Sequence, residues 1–208
     1  MNYPDTWLSE IPIDLAAQFK FLIEADRLKT VIRNSHIADG SRRENTAEHS
    51  WHLSLFAIIL SSCSDTDVNC FRVVKMLILH DLVEIDAGDL SIFDEAAAEE
   101  QIEREQKAAK RIFGILPEDQ GQEMRELWQE FEAAETSDAK FAKAMDRLQP
   151  ILLNYLNRGG TWIENDVDIQ RERRLTNGIE RGSVSLWEAA EAIFSEAVDK
   201  GWMKSAAK

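Results

Sequence analysis

The 208-residue sequence has two cysteines, four prolines and two tyrosines, and no apolar run near the roughly 18 residues that cross a bilayer. Each shortage excludes something. Cys63 and Cys70 have neither the number nor the spacing of a disulfide framework or a zinc-cysteine site, so they read as free packing thiols in a reducing compartment. The opening "MNYPDTWLSE" lacks the basic start and apolar centre of a signal peptide. The expectation is a soluble, cytoplasmic protein with no membrane partner. Basic residues are also scarce: 24 Lys and Arg face 38 Asp and Glu, a formal charge of -14. A chain this acidic repels polyanions, which excludes a nucleic-acid polymer and leaves any anionic substrate to be held by local cations. β-alternation of useful length, internal repeats and low-complexity tails are missing as well.

What is present is helical periodicity. Hydrophobic residues make up 44% of the chain, enough for one globular domain with a core of its own. Leu15, Phe19, Leu22 and Ile23 form an inward stripe from Asp14 toward Leu28. "NSHIADGSRREN", residues 34–45, reads as a loop, and Asn45 with Glu48 three residues on resembles a capping box for the next helix. That helix, "EHSWHLSLFAIIL", is apolar nearly all round and is expected at the centre. A further helix runs from about Val68 to Ile85 and stops near Gly88, followed by a solvated helix from Glu95 to Phe113 that can act as a cover. Pro117 starts a helix with Met124, Leu127, Trp128 and Phe131 inward, and another begins at Ser137, with Pro150 expected to kink it. A last helix carries Leu186, Ile193 and Phe194. The expected architecture is a single all-α domain of about seven helices, with a core over residues 13–160 and C-terminal helices over 166–200 packing on it.

Three of the four histidines, His49, His52 and His80, lie in or at the head of the two most apolar helices. A lone buried imidazole is usually satisfied by a backbone carbonyl. The pair His80-Asp81 is different, because an unpaired carboxylate among apolar residues costs several kcal/mol. A cation would offset that cost if other helices completed its shell. His49 opens the preceding helix and Asp146 interrupts an inward stripe between Met145 and Leu148, which makes a set of two nitrogens and two oxygens. Such a set without sulfur suits Mn, Mg, Co, Fe or Ni and tolerates Zn, unlike a closed structural zinc site.

"EHS" at 48–50, "HDLVE" at 80–84 and "AMDRLQP" at 144–150 resemble the H…HD…D signature of the HD-domain phosphohydrolases. With "RLKTVIRN", "GSRRENTAEHSWH", "ILHDLVEIDAGD" and "FAKAMDRLQPILLN", the chain is similar to the branch that contains bacterial 5'-deoxynucleotidases, over roughly residues 13–198. The resemblance implies an HD-domain helical fold, His49, His80, Asp81 and Asp146 as metal ligands, and a phosphate-ester substrate. Glu84 matches the acid four residues after the HD histidine and is assigned to orienting or deprotonating the attacking water; Asp89 matches an acid that contacts the sugar hydroxyl. Arg27 matches a substrate-contacting arginine, and Arg33, Arg42, Arg43 and Arg147 are further candidates for the phosphate, since guanidinium forks match its oxygens. Leu28 stands where the branch has a tryptophan that shapes the sugar pocket. His52 is left as a neighbour of the site or a core residue, His36 as a loop residue and Asp86 as a solvated helix end.

The resulting expectation is a metal-dependent hydrolase of nucleoside 5'-monophosphates, in a family that leans toward homodimers. Hydrolysis of a nucleoside triphosphate or an alarmone is the nearest alternative; the alarmone enzymes resemble this site but carry HDxxED, where Ile85 stands here. A metal-dependent nucleotide-binding module without turnover is the alternative of another class, and it has no need of Glu84.

Overall fold

A computed structural model of the chain describes residues 6–94 and 98–205. Pro12, extended at φ -52° and ψ 140°, sets the entry of helix α1 (Ile13–Ala25). The expected stripe is not its buried face. Leu15, Phe19 and Leu22 are exposed, whereas Ala16 and Phe21 turn inward and Phe21 stacks on Phe113 with ring centroids 6.5 Å apart. Helical spacing identifies an apolar face but not which residues a neighbouring helix will cover.

The segment expected as a loop contains a small antiparallel hairpin, β1 (Ile32–His36) with β2 (Arg43–Asn45), in which Ile32 pairs with Asn45 and His36 with Arg43. These strands are short, and an irregularity in register separates the two pairs, so no alternation reaches the sequence. The hairpin delivers Asn45 to the head of α2 (Thr46–Leu60). There its side-chain oxygen accepts from Glu48 N at 3.0 Å and Glu48 returns the contact to Asn45 N at 3.1 Å, closing the expected capping box. α2 is not buried all round: Trp51, Leu55, Ile58 and Ile59 face out.

The helix expected over 68–85 is three pieces: α3 (Cys70–Leu79), a 3₁₀ turn (His80–Val83) and α4 (Glu84–Ala87), ended by Gly88 at φ 77°. The break falls on the motif. At the break the His80 carbonyl also accepts from Trp128 Nε1 at 3.1 Å. After it come α5 (Ala98–Phe113), α6 (Glu118–Ala133), α7 (Ser137–Leu156), α8 (Thr161–Glu164), α9 (Ile169–Thr176), α10 (Gly178–Gly182) and α11 (Val184–Asp199). Glu95, the expected start of the solvated helix, lies outside the described residues. In α5 Ile112 and Phe113 are buried, and Ile102 is exposed.

α7 is the axis of the fold. Thr136 caps it by accepting from Ala139 N, it buries Phe141, Met145, Leu148 and Ile151, and it packs against α2, α3, α6, α10 and α11. It continues as one helix through Pro150 to Leu156. One apolar cluster runs from Phe21 through Met203 and holds Trp128, Phe131, Trp162 and Phe194 at its centre. Three of the polar residues buried with it, His49, His80 and Asp146, sit where α2, the 3₁₀ turn and α7 meet.

Candidate metal centre

The capping box fixes where α2 starts, and His49 follows on its first turn, fully buried. The 3₁₀ turn presents His80 and Asp81 side by side, and α7 brings Asp146 from the other side. The four side chains meet. His49 Nε2 lies 3.2 Å from Asp146 Oδ1 and 3.9 Å from Asp81 Oδ2; His80 Nε2 lies 3.0 Å from Asp81 Oδ1 and 3.7 Å from Asp146 Oδ1. Ligand-type atoms of His49, His80 and Asp81 all stand within 4.8 Å of one another.

The tautomers follow from the outer contacts. His80 Nδ1 donates to Leu77 O at 2.9 Å. His49 Nδ1 faces two acceptors, Gln149 Oε1 at 3.2 Å and Glu44 Oε2 at 3.4 Å. Both rings therefore carry their proton on Nδ1 and turn a bare Nε2 toward two carboxylates, and His80 Nε2 is buried with no hydrogen-bond partner. Lone pairs facing carboxylates across 3 to 4 Å are what a divalent cation would satisfy, and the donor set of two imidazoles and two carboxylates fits one. Without that cation the same field draws in a proton. Burial works against a charged His80, but Asp81 and the contacts of Asp146 outweigh it and raise its pKa to about 10. Burial likewise opposes ionisation of Asp81 and Asp146, yet His80 and Arg33 hold Asp81 down at about 2, and His49, His80 and Arg147 hold Asp146 well below the usual carboxylate range.

Glu84 opens α4 with its carboxyl buried, and Oε2 accepts from Thr46 Oγ1 at 2.9 Å. Burial, together with the charges of Asp81 and Asp89, raises its pKa well above that of an ordinary glutamate. Asp89, just past Gly88, is raised by burial and by Asp81 against the pull of Arg33. Arg33 on β1 reaches into this group: its guanidinium lies 3.1 Å from Asp81, 3.4 Å from Asp89, 3.7 Å from Glu44 and 3.8 Å from Glu84. Its burial favours the neutral form, but the charges of Asp81, Asp89, Glu84 and Asp146 dominate and raise its pKa.

A cavity of about 590 Å³ opens beside the cluster and is lined by His80, Asp81, Glu84, Asp89 and Asp146. Of the five arginines proposed for the substrate, Arg33 and Arg147 line it. The other three do not line it. Arg27 is held by Glu24, Arg42 forks onto Glu48 at 2.7 and 2.8 Å, and Arg43 is taken by Asn34 and Glu164. Each lies nearer a local acid or carbonyl than the centre. A second cavity of about 630 Å³ between α5 and α6 touches none of the clustered groups.

Sequence reasoning missed the outer contacts. Gln149 bridges His49, Glu44 (2.8 Å) and His52 Nδ1 (3.2 Å), which joins His52 to the centre at one remove. The available signal was spacing: Gln149 and Lys143 each lie three residues from Asp146, so both share its face of α7. Thr46 and Glu44 carried no such sign. His36 lies 4.0 Å from Glu164, and Asp86 is bound by Arg111, both away from the centre.

A model of the HD domain matches residues 25–187. A human 5'-deoxynucleotidase is 33% identical over 134 residues, and a fission yeast (Schizosaccharomyces pombe) 5'-deoxynucleotidase is 30% identical over 136 residues. The human match spans 64% of each chain, and the yeast match spans 63% of this chain and 67% of the yeast protein. The crystal structure of a predicted metal-dependent phosphohydrolase from Magnetospirillum magnetotacticum superposes with a TM-score of 0.88 at 50% identity, over 91% of this chain and 95% of that one. A conserved hypothetical protein from Pyrococcus furiosus shares the fold at a TM-score of 0.57 and 22% identity, over 84% of this chain and 98% of its own. Among the described residues no helix is long and apolar enough to cross a membrane. The meeting of His49, His80-Asp81 and Asp146 in an all-helical core, together with a matching domain over most of its length, means that this chain belongs to the HD domain family.

Proposed function

We propose that the chain is a metal-dependent phosphoric monoester hydrolase that converts nucleoside 5'-monophosphates to nucleoside and phosphate. The observation that carries this reading is the pair of bare imidazole nitrogens of His49 and His80, each within 4 Å of oxygens of Asp81 and Asp146 beside the cavity. The names of the curated relatives support the substrate class.

His49, His80, Asp81 and Asp146 would hold a divalent ion, for which Mn, Co, Mg, Fe, Ni and Zn all suit the donor set. When bound, such an ion acts as a Lewis acid on a phosphoryl oxygen and lowers the pKa of water from about 15.7 toward about 7. Glu84 is the base: fixed by Thr46 and facing the cavity, it takes the proton as the water oxygen bonds to phosphorus. As the bond from phosphorus to the nucleoside 5'-oxygen breaks, the carboxyl returns that proton to the leaving oxygen. Arg33 neutralises the acids around Glu84, and Asp89 faces the sugar hydroxyl. Leu28 is buried in the core and not on the cavity wall, so discrimination between sugars falls to Asp89.

In this reading the chain works as one domain, in the cytoplasm, where its free thiols Cys63 and Cys70 stay reduced. It pairs as a homodimer, with support from the exposed apolar side chains Ile13 and Leu22 of α1 and Trp51 and Ile59 of α2; light scattering reads the mass. The central test is phosphate release from a panel of nucleotides with Mn, Co or Mg. Release by the wild type but not by Glu84→Ala, with metal still bound, supports the hydrolase. Nucleotide binding with no release by the wild type would point to the non-catalytic module instead.

A further inference from the structure

A phosphate dianion entering this cavity meets a strongly acidic wall. Among the described residues eight carboxylates line it, against three cations: Arg33, Lys143 and Arg147. Arg33 is already committed. Four carboxylates stand within 3.1 to 3.8 Å of its guanidinium and its side chain is only 13% exposed, so turning to a substrate would strip those acids of their counter-charge. Arg27, Arg42 and Arg43 are engaged elsewhere. Two cations on one helix remain.

Lys143 and Arg147 are four residues apart on α7 and bracket Asp146, so they project from the same face on successive turns. The Lys143 ammonium sits 3.9 Å from the centre of the Phe131 ring, and that ring packs against the His80 imidazole at 4.8 Å. Phe131 thus sets the spacing between the ammonium and the metal-ligand cluster. Among the described residues the carboxylate paired with Lys143 is Glu132, at 3.1 Å on the cavity wall, with Lys143 20% and Glu132 38% exposed, and Glu105 acts on the ammonium from farther off. A single pair with one member near the surface is exchanged for a more highly charged anion at less cost than the four buried contacts of Arg33. Arg147 is more accessible, at 36% exposed, with Asp146 Oδ2 at 3.4 Å.

We propose that Lys143 and Arg147 form the anion subsite of the cavity, where Lys143 contacts phosphoryl oxygens of the substrate and of the phosphate product. The assignment rests on the phosphomonoesterase reading for its substrate, but its ligand, inorganic phosphate, can be tested without turnover. Glu132 is the tether that holds Lys143 over Phe131 and yields it to the anion. Sequence reasoning looked for arginine forks and passed over this lysine; a compact ammonium serves as a point charge where no bidentate geometry is required.

The experiment compares wild type, Lys143→Gln, Lys143→Arg and Glu132→Gln, each loaded with Mn. It measures calorimetric affinity for inorganic phosphate, and KM and kcat for a nucleoside 5'-monophosphate. Losing one charge-assisted contact weakens phosphate binding and raises KM on the order of tenfold or more in Lys143→Gln. Lys143→Arg recovers most of that loss. Glu132→Gln binds phosphate at least as tightly as wild type, since only a competing carboxylate has gone; a lysine that merely braced Glu132 would make this variant resemble Lys143→Gln. Phosphate affinity within twofold of wild type in Lys143→Gln overturns the proposal, as does equal weakening in Lys143→Arg or in Glu132→Gln. A wild type that releases phosphate from no nucleotide defeats the hydrolase reading alone, and the binding arm still decides the subsite.

Discussion

His49 Nε2 and Asp146 Oδ1 stand 3.2 Å apart although 97 residues separate them in the chain. The contact joins the first turn of α2 to the middle of α7, and nothing in it is stabilising unless a proton or a cation lies between a bare imidazole nitrogen and a carboxylate. The electrostatics of the proposed centre therefore suit a cation, and its chemistry can be tested one residue at a time.

Removing a ligand should remove the ion. Asp146→Ala is expected to purify with far less divalent metal than wild type and to lose hydrolysis by more than the 10- to 100-fold that loss of an outer contact causes. Elemental analysis beside the nucleotide assay checks both. Full metal occupancy in Asp146→Ala would remove this residue from the shell.

Gln149 should matter without touching the ion. Its Oε1 accepts from His49 Nδ1 while its Nε2 donates to Glu44 at 2.8 Å, so Gln149→Leu keeps the volume and loses the orientation of the ring. Metal affinity is expected to fall by roughly 10- to 100-fold, read by titration of the metal-free chain. An unchanged affinity would mean that packing alone orients His49.

Glu84→Gln separates chemistry from binding. The amide keeps the shape beside Thr46 but cannot accept a proton, so kcat should drop by about 10² to 10⁴ while KM and metal content stay near wild type. A comparable loss of metal in this variant would make Glu84 a structural part of the centre.

Glu172 tests burial by pH. On the cavity wall, 3% exposed and with Oε2 unpartnered, it has its pKa raised from 4.5 to about 7, chiefly by burial, with Trp162 and the nearby Arg147 and Arg171 opposing. The folded chain holds this proton more tightly than the unfolded chain. The carboxyl accordingly lowers stability progressively as pH rises from about 4.5 toward about 7, and by a constant amount above that. Glu172→Gln removes the penalty. Its advantage over wild type in denaturant unfolding should grow between about pH 5 and about pH 8, by at most on the order of 3 kcal/mol. A difference independent of pH would show that the carboxyl ionises normally.

Much of the centre was legible because its signals are local. The cap at Asn45 needs only Glu48 three residues on, and the anomaly of His80-Asp81 needs only an apolar surrounding run. Asp146 stood out as one acid in an inward stripe of α7. The same locality explains the misses. At the break His80 meets the indole of Trp128, an acceptor-donor match 48 residues away, and the buried face of α1 meets Phe113. The hairpin before α2 consists of backbone pairing over too few residues to leave a side-chain pattern.

The sequence by itself determined which residue types could bind an ion and on which helices they would sit, since capping and the 3.6-residue period act within a turn or two. Only the tertiary structure decided where the cations stand relative to the centre. Arg33 is enclosed by four carboxylates, Arg27, Arg42 and Arg43 are taken by nearby acids, and Lys143 stands over Phe131 beside the cavity. Long flexible side chains choose their partners through space, and charge falls off with distance between atoms and not with separation along the chain.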